Sequence, residues 1–164
     1  MKLHESKKEL LRYLPFFLGL ILNVFVILLF SKTVISPFLI LSLYAIPGIL
    51  GCLLIRWVKS IDTNLIVKFI YASVSFGCPL AAALLFVNLN IPAATASETV
   101  KTNILKRGFT AKTHNPTADV AVDGVIKGFV FPQEKDLAAY SMLRLTLQEG
   151  IVGWKTVKEV KLIP

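Results

Sequence analysis

The sequence predicts an α-helical membrane protein, with three transmembrane helices followed by a small C-terminal antiparallel β-rich domain. Three observations lead there. Of 164 residues 55% are hydrophobic and 17% charged, and a mean hydropathy of +0.69 is too apolar for a soluble domain of this length. Three long uncharged runs lie within residues 14–89. Beyond them the hydrophobic pattern changes to alternation, the period of a half-buried strand. Charge divides with the pattern: residues 1–89 hold 8 Lys and Arg against 3 acids, and residues 90–164 hold 10 against 7. The expected organisation is a basic cytoplasmic flank (1–13), a helical membrane domain (14–89), a linker (90–98) and an extracytoplasmic β-rich domain (99–164).

Residues 14–30, at about 1.5 Å per residue, nearly cross a hydrocarbon core of about 30 Å. Lys2, Lys7, Lys8 and Arg12 precede this run. No small-residue cleavage site follows it, so a signal anchor fits better than a cleaved leader. Residues 34–55 form the second expected span, ending at Arg56-Trp57, and residues 69–89 the third, entered through Lys68 and Tyr71. The three residues 31–33 leave room only for a tight turn, so the first two spans are expected as an antiparallel hairpin. Seven basic residues flank one side (Lys2, Lys7, Lys8, Arg12, Arg56, Lys59, Lys68) and Lys32 alone the other. This asymmetry places the N-terminus in the cytoplasm, and an odd number of spans puts residues 90–164 across a bacterial inner membrane, in the periplasm or outside.

The three runs contain no Asp, Glu, Lys, Arg or His, the groups that mark proton relays and ion paths at membrane depth. What they contain is packing chemistry. Gly19 and Asn23 lie one turn apart on the first run, Asn23 able to bond another helix. Ala45 and Gly48 lead to Cys52 on the second, and Ser73, Gly77 and Ala81 repeat at four-residue spacing on the third. Such small-residue faces let helices approach closely. Pro47 and Pro79 are expected to bend their helices. Cys52 and Cys78 both stand in apolar runs and suggest no disulfide.

In the tail, Asp123-Gly124 between two alternating runs (118–122 and 125–131) reads as a two-residue type I′ hairpin, because both turn positions require positive φ. Alternation returns over 141–148, with Leu143, Leu145 and Leu147 on one face, and over 152–162, with Trp154, Val160 and Leu162 on one face. A further strand is expected within 99–109, giving four or five antiparallel strands. At about seventy residues such a sheet has a marginal core. The layout, ending in Glu149-Gly150-Ile151-Val152-Gly153-Trp154-Lys155, resembles a loose class of uncharacterised small bacterial membrane proteins with three spans and an extracytoplasmic β-rich tail. That resemblance implies no activity and transfers no catalytic residue.

His4 and His114 are the only histidines, and no Cys or His pair has metal-ligand spacing. No catalytic residue, cofactor or metal site is expected, and phosphate-loop and dinucleotide motifs are absent. His114 with Asp119 or Asp123 is the one conceivable acid–base pair, and the turn already accounts for Asp123. Nucleic acid is excluded as a partner because the basic residues border apolar runs without interleaved aromatics. The expected partners are the bilayer and a membrane or envelope protein or a second copy. The sequence thus favours a non-enzymatic integral membrane protein that anchors a β module for partner binding or assembly. The alternative is a small accessory subunit of a larger membrane transporter or enzyme complex, to be recognised by what co-purifies in mild detergent.

Overall fold

The computed structural model describes residues 2–54, 64–93, 96–134 and 136–164. Ile55 and the basic residues Arg56 and Lys59 of the expected second link lie outside the described residues. The chain forms two compact units.

Among the described residues the first unit holds three helices. Helix α1 runs Lys2–Lys32 and α2 Pro37–Leu54. Helix α3 spans Leu65–Asn90 and is π-helical over Ser73–Gly77. Asn64 caps α3, its side-chain oxygen accepting from the backbone N–H of Val67 at 2.9 Å. The π-helical turn immediately precedes Pro79, whose ring would press on the carbonyl of residue 75 in a regular helix. Pro47 lies inside α2, which continues through it.

The second unit is a six-stranded antiparallel sheet of order β1-β6-β5-β2-β3-β4. Its strands are β1 Thr33–Val34, β2 Glu98–Phe109, β3 Pro116–Val122, β4 Val125–Val130, β5 Met142–Glu149 and β6 Lys155–Ile163. One face is the core: Val34, Ala118, Val120, Val122, Leu143, Leu145 and Leu147 are buried there together with Leu137 from the β4–β5 connection. The sheet curls until it nearly closes into a barrel. At one end of the seam Lys155 of β6 pairs with Asp123 of the β3–β4 turn. At the other end Val130 and Phe131 share a groove with Val160 and Leu162.

The expected fold class is corrected in two respects. Among the described residues two helical stretches, Tyr13–Lys32 and Leu65–Asn90, are long and apolar enough to cross a membrane, and the apolar stretch of α2, Pro37–Leu53, is shorter. The physical reason lies at the start of the middle run. Thr33 and Val34 pair with Thr156 and Lys155 of β6 instead of turning or entering a helix. Ser36 then caps the helix, its Oγ accepting from the N–H of Phe38 at 3.2 Å, and Pro37 takes the first position, where a missing N–H costs nothing. The β structure is likewise no simple tail, because β1 comes from between two helices and the sheet approaches closure. The resemblance to a three-span class with a β-rich tail therefore does not hold.

Two bulges set which side chains face inward. Leu105 is extra in β2, between Ile104 opposite Val120 and Lys106 opposite Asp119. Lys158 is extra in β6, between Val157 opposite Leu147 and Glu159 opposite Thr146. The second bulge turns Val157, as well as Val160 and Leu162, toward the core. Uninterrupted alternation cannot place all three on one face.

Candidate functional site

The small residues of the helical unit meet one another's helices. Gly19 is buried against the backbone of Val74, and Gly48 against Ser73. Gly77 faces the backbone of Tyr44. The Tyr44 hydroxyl donates to Asn23 Oδ1 at 2.8 Å, joining α1 to α2. Ser73 and Ala81 are buried and Ala45 is half-buried. Phe16 stacks on Tyr71 with ring centres 5.4 Å apart. These positions are spent on packing within the unit. Cys52 is half-buried and Cys78 buried, both as free thiols.

In the sheet unit Asp123 and Gly124 have φ of 49° and 77° and close the β3–β4 hairpin between Val122 and Val125. Both values belong to a type I′ turn. That turn fixes the hydrogen-bond parity of the hairpin. The closing pair of a two-residue hairpin is hydrogen-bonded, so Val125, Lys127 and Phe129 bond to β3, and Phe131 continues the series by donating to Pro116 O at 2.9 Å. The N–H and C=O groups of Ile126, Gly128 and Val130 consequently face away from β3, along an edge on which no further strand pairs among the described residues. The side chains of Ile126 and Val130 are 66% and 49% exposed. This edge is the candidate binding site.

Both ends of the edge are held. Lys155 Nζ bonds Glu98 Oε2 at 2.9 Å and Asp123 Oδ2 at 3.1 Å, and these bonds, Glu98 first, raise the lysine's pKa. At the far end a groove of about 390 Å³ is lined by the 130–134 segment, Tyr140 and Val160–Leu162. Arg107 secures the neighbouring connection. Its guanidinium donates to the carbonyls of Leu137, at 3.1 Å, and Tyr140, holding Leu137 in the core.

Lys127 of β4 points inward opposite Val120 and is only 6% exposed. Burial penalises its charge and lowers its pKa from 10.5 to about 8. Between those pH values the unfolded chain keeps the proton and the folded chain sheds it, so stability rises with pH across that window. Lys127→Met should flatten the rise from pH 8 to 10.5, as read from denaturant midpoints; a rise retained in the variant would show that another group titrates across that window.

Asn88 was assigned no role by sequence reasoning and proves central to the sheet unit. It is 1% exposed. Its Nδ2 donates to Trp154 O at 2.9 Å, and its Oδ1 accepts from the N–H groups of Val152 and Trp154 at 3.2 and 3.3 Å. Gly150 lies so close to the Asn88 carbonyl that a Cβ there would collide with it. The expected linker joins the same turn: Ala93 donates to Glu149 O at 3.0 Å, and Ile151 to Ile91 O at 2.9 Å. Residues 94 and 95 lie outside the described residues. An Asn in the last turn of an apolar helix, two residues before Asn90, was the one available signal.

His114 sits in the β2–β3 turn with φ of 49°, and the length of β3, about 20 Å, separates it from Asp123. The side chain of His4 is outside the described set. Among the described residues no three or more His, Cys, Asp or Glu gather to hold a metal ion. No protein-family model, curated protein or solved structure matches the chain.

Proposed function

We propose that the chain is a non-enzymatic integral membrane protein whose apolar helices anchor a β module that binds a partner by strand addition along β4. The open edge of β4 carries the reading. Backbone groups of Ile126, Gly128 and Val130 supply sequence-independent hydrogen bonds, and the exposed Ile126 and Val130 side chains supply selectivity, the division of labour found wherever an extended segment joins a sheet. The accessory-subunit alternative has less support, since Gly19, Gly48 and Gly77 already pack inside the helical unit.

Connectivity supports the sidedness. Helix α1 begins in a basic flank, which favours a cytoplasmic start, and the residues directly after Lys32 form β1 of the sheet. A first helix that crosses from the cytoplasm delivers the sheet to the extracytoplasmic face of a bacterial inner membrane. The test is co-purification from native membranes. Ile126→Lys with Val130→Lys blunts the edge while leaving the β3 ladder intact, and should remove whatever strand-adding protein is captured by the unaltered chain. Equal capture by the double variant would refute β4 as the binding edge.

A further inference from the structure

The register of the sheet brings three cations into one row. Lys101 of β2 lies opposite Arg144 of β5, and Arg144 opposite Lys161 of β6. Their parity is set by the core: Leu143 and Leu145, on either side of Arg144, are fully buried, so Arg144 points outward, and Lys101 and Lys161 share its face. All three are exposed. Directly opposite side chains have Cβ atoms about 5 Å apart, so the row spans roughly 10 Å, and like charges so placed repel.

Little on this face offsets the repulsion. The adjoining rows are Thr99, Thr146 and Glu159 on one side and Asn103, Met142 and Ile163 on the other. Glu159 is their single acid, and it pairs with Lys161 at 2.8 Å with both side chains more than half exposed, a geometry that contributes little. Lys101 and Arg144 make no ion pair or side-chain hydrogen bond among the described residues.

We propose that this row binds phosphate groups. The central guanidinium offers a planar fork of donors that matches two phosphate oxygens, and the flanking ammonium groups follow as mobile point charges. A phosphate ester, with up to three free oxygens and as many as two negative charges, can engage all three cations. A lone carboxylate satisfies the arginine alone. Two sources present this chemistry. Residues 88–90, the end of a membrane-length helix, belong to the sheet unit, which keeps lipid head groups within the chain's reach; free phosphate is the other source. The row lies on β2, β5 and β6 and does not involve β4, so the proposal stands apart from the strand-addition reading.

The test uses the full chain in nanodiscs at low ionic strength, with hydrogen exchange across β5 reporting sheet stability. In pure phosphatidylcholine discs the Lys101→Gln/Arg144→Gln/Lys161→Gln variant should exchange more slowly than the unaltered chain, because repulsion is gone. Phosphatidylglycerol discs, or inorganic phosphate added to phosphatidylcholine discs, should then slow exchange in the unaltered chain and leave the triple variant unmoved. A response to phosphatidylglycerol alone identifies head groups as the source, and a response to inorganic phosphate alone identifies the free anion. Arg144→Gln by itself should raise the half-effective concentration of the active probe roughly tenfold and covers the case of a triple variant that does not fold. Equal slowing by matched chloride, slowing retained in the folded variants, or no response to either probe overturns the proposal.

Discussion

Replacing Asn88 with leucine should destabilise the sheet unit by about 3 kcal/mol, because three hydrogen bonds of a half-buried turn are lost together and each is worth roughly 1 kcal/mol. The N–H groups of Val152 and Trp154 would lose their shared acceptor, and the Trp154 carbonyl one of its two donors, the Gly150 N–H remaining. Leucine keeps the branch at Cγ but is bulkier than the amide, so overpacking adds to the loss of the polar clasp. Asn88→Asp discriminates further. It keeps an acceptor for the two N–H groups but sets a carboxylate against the Trp154 carbonyl, and should fall between the two. Amide exchange at Val152 and Trp154 reads the result directly; protection unchanged in Asn88→Leu would mean that the turn holds without its clasp.

The second large effect is expected at Gly77. A Cβ built there lies 2.6 Å from Tyr44 Cα and 3.1 Å from its carbonyl oxygen, and a backbone cannot rotate aside as a side chain can. Gly77→Leu must therefore push α2 away from α3, at a cost of roughly 1 to 3 kcal/mol or more. Since Tyr44 also donates to Asn23, the displacement should loosen α1 as well. Thermal unfolding in mild detergent should show a lowered midpoint for Gly77→Leu and a smaller decrease for Gly77→Ala. If both variants melt with the unaltered chain, the close approach at Tyr44 is not a stabilising contact.

Features written in neighbouring residues were legible from the sequence. The apolar runs mark where helices form, because a backbone without polar side chains nearby satisfies its own hydrogen bonds by coiling. Asp123-Gly124 marks a turn because two adjacent residues that tolerate positive φ interrupt an alternating pattern. Leu143, Leu145 and Leu147 declare a buried strand face by parity alone. Thr33-Val34 misled the reading because nothing local distinguishes two β-compatible residues in an apolar stretch from the start of a helix. Their partners Thr156 and Lys155 lie more than a hundred positions away.

By itself, then, the sequence determined the helical and alternating segments, the Asp123-Gly124 hairpin, the excess of positive charge and the small residues available for close packing. Each depends on interactions within a few residues, which composition and periodicity encode. The tertiary structure alone decided that β1 joins the sheet, that Asn88 clasps the β5–β6 turn, that a bulge at Lys158 turns Val157 inward, and that Lys101, Arg144 and Lys161 stand abreast. All four depend on register between distant segments. A shift of one residue reverses every side chain on a strand, so such features exist only after the whole sheet has chosen the alignment that buries its leucines and valines.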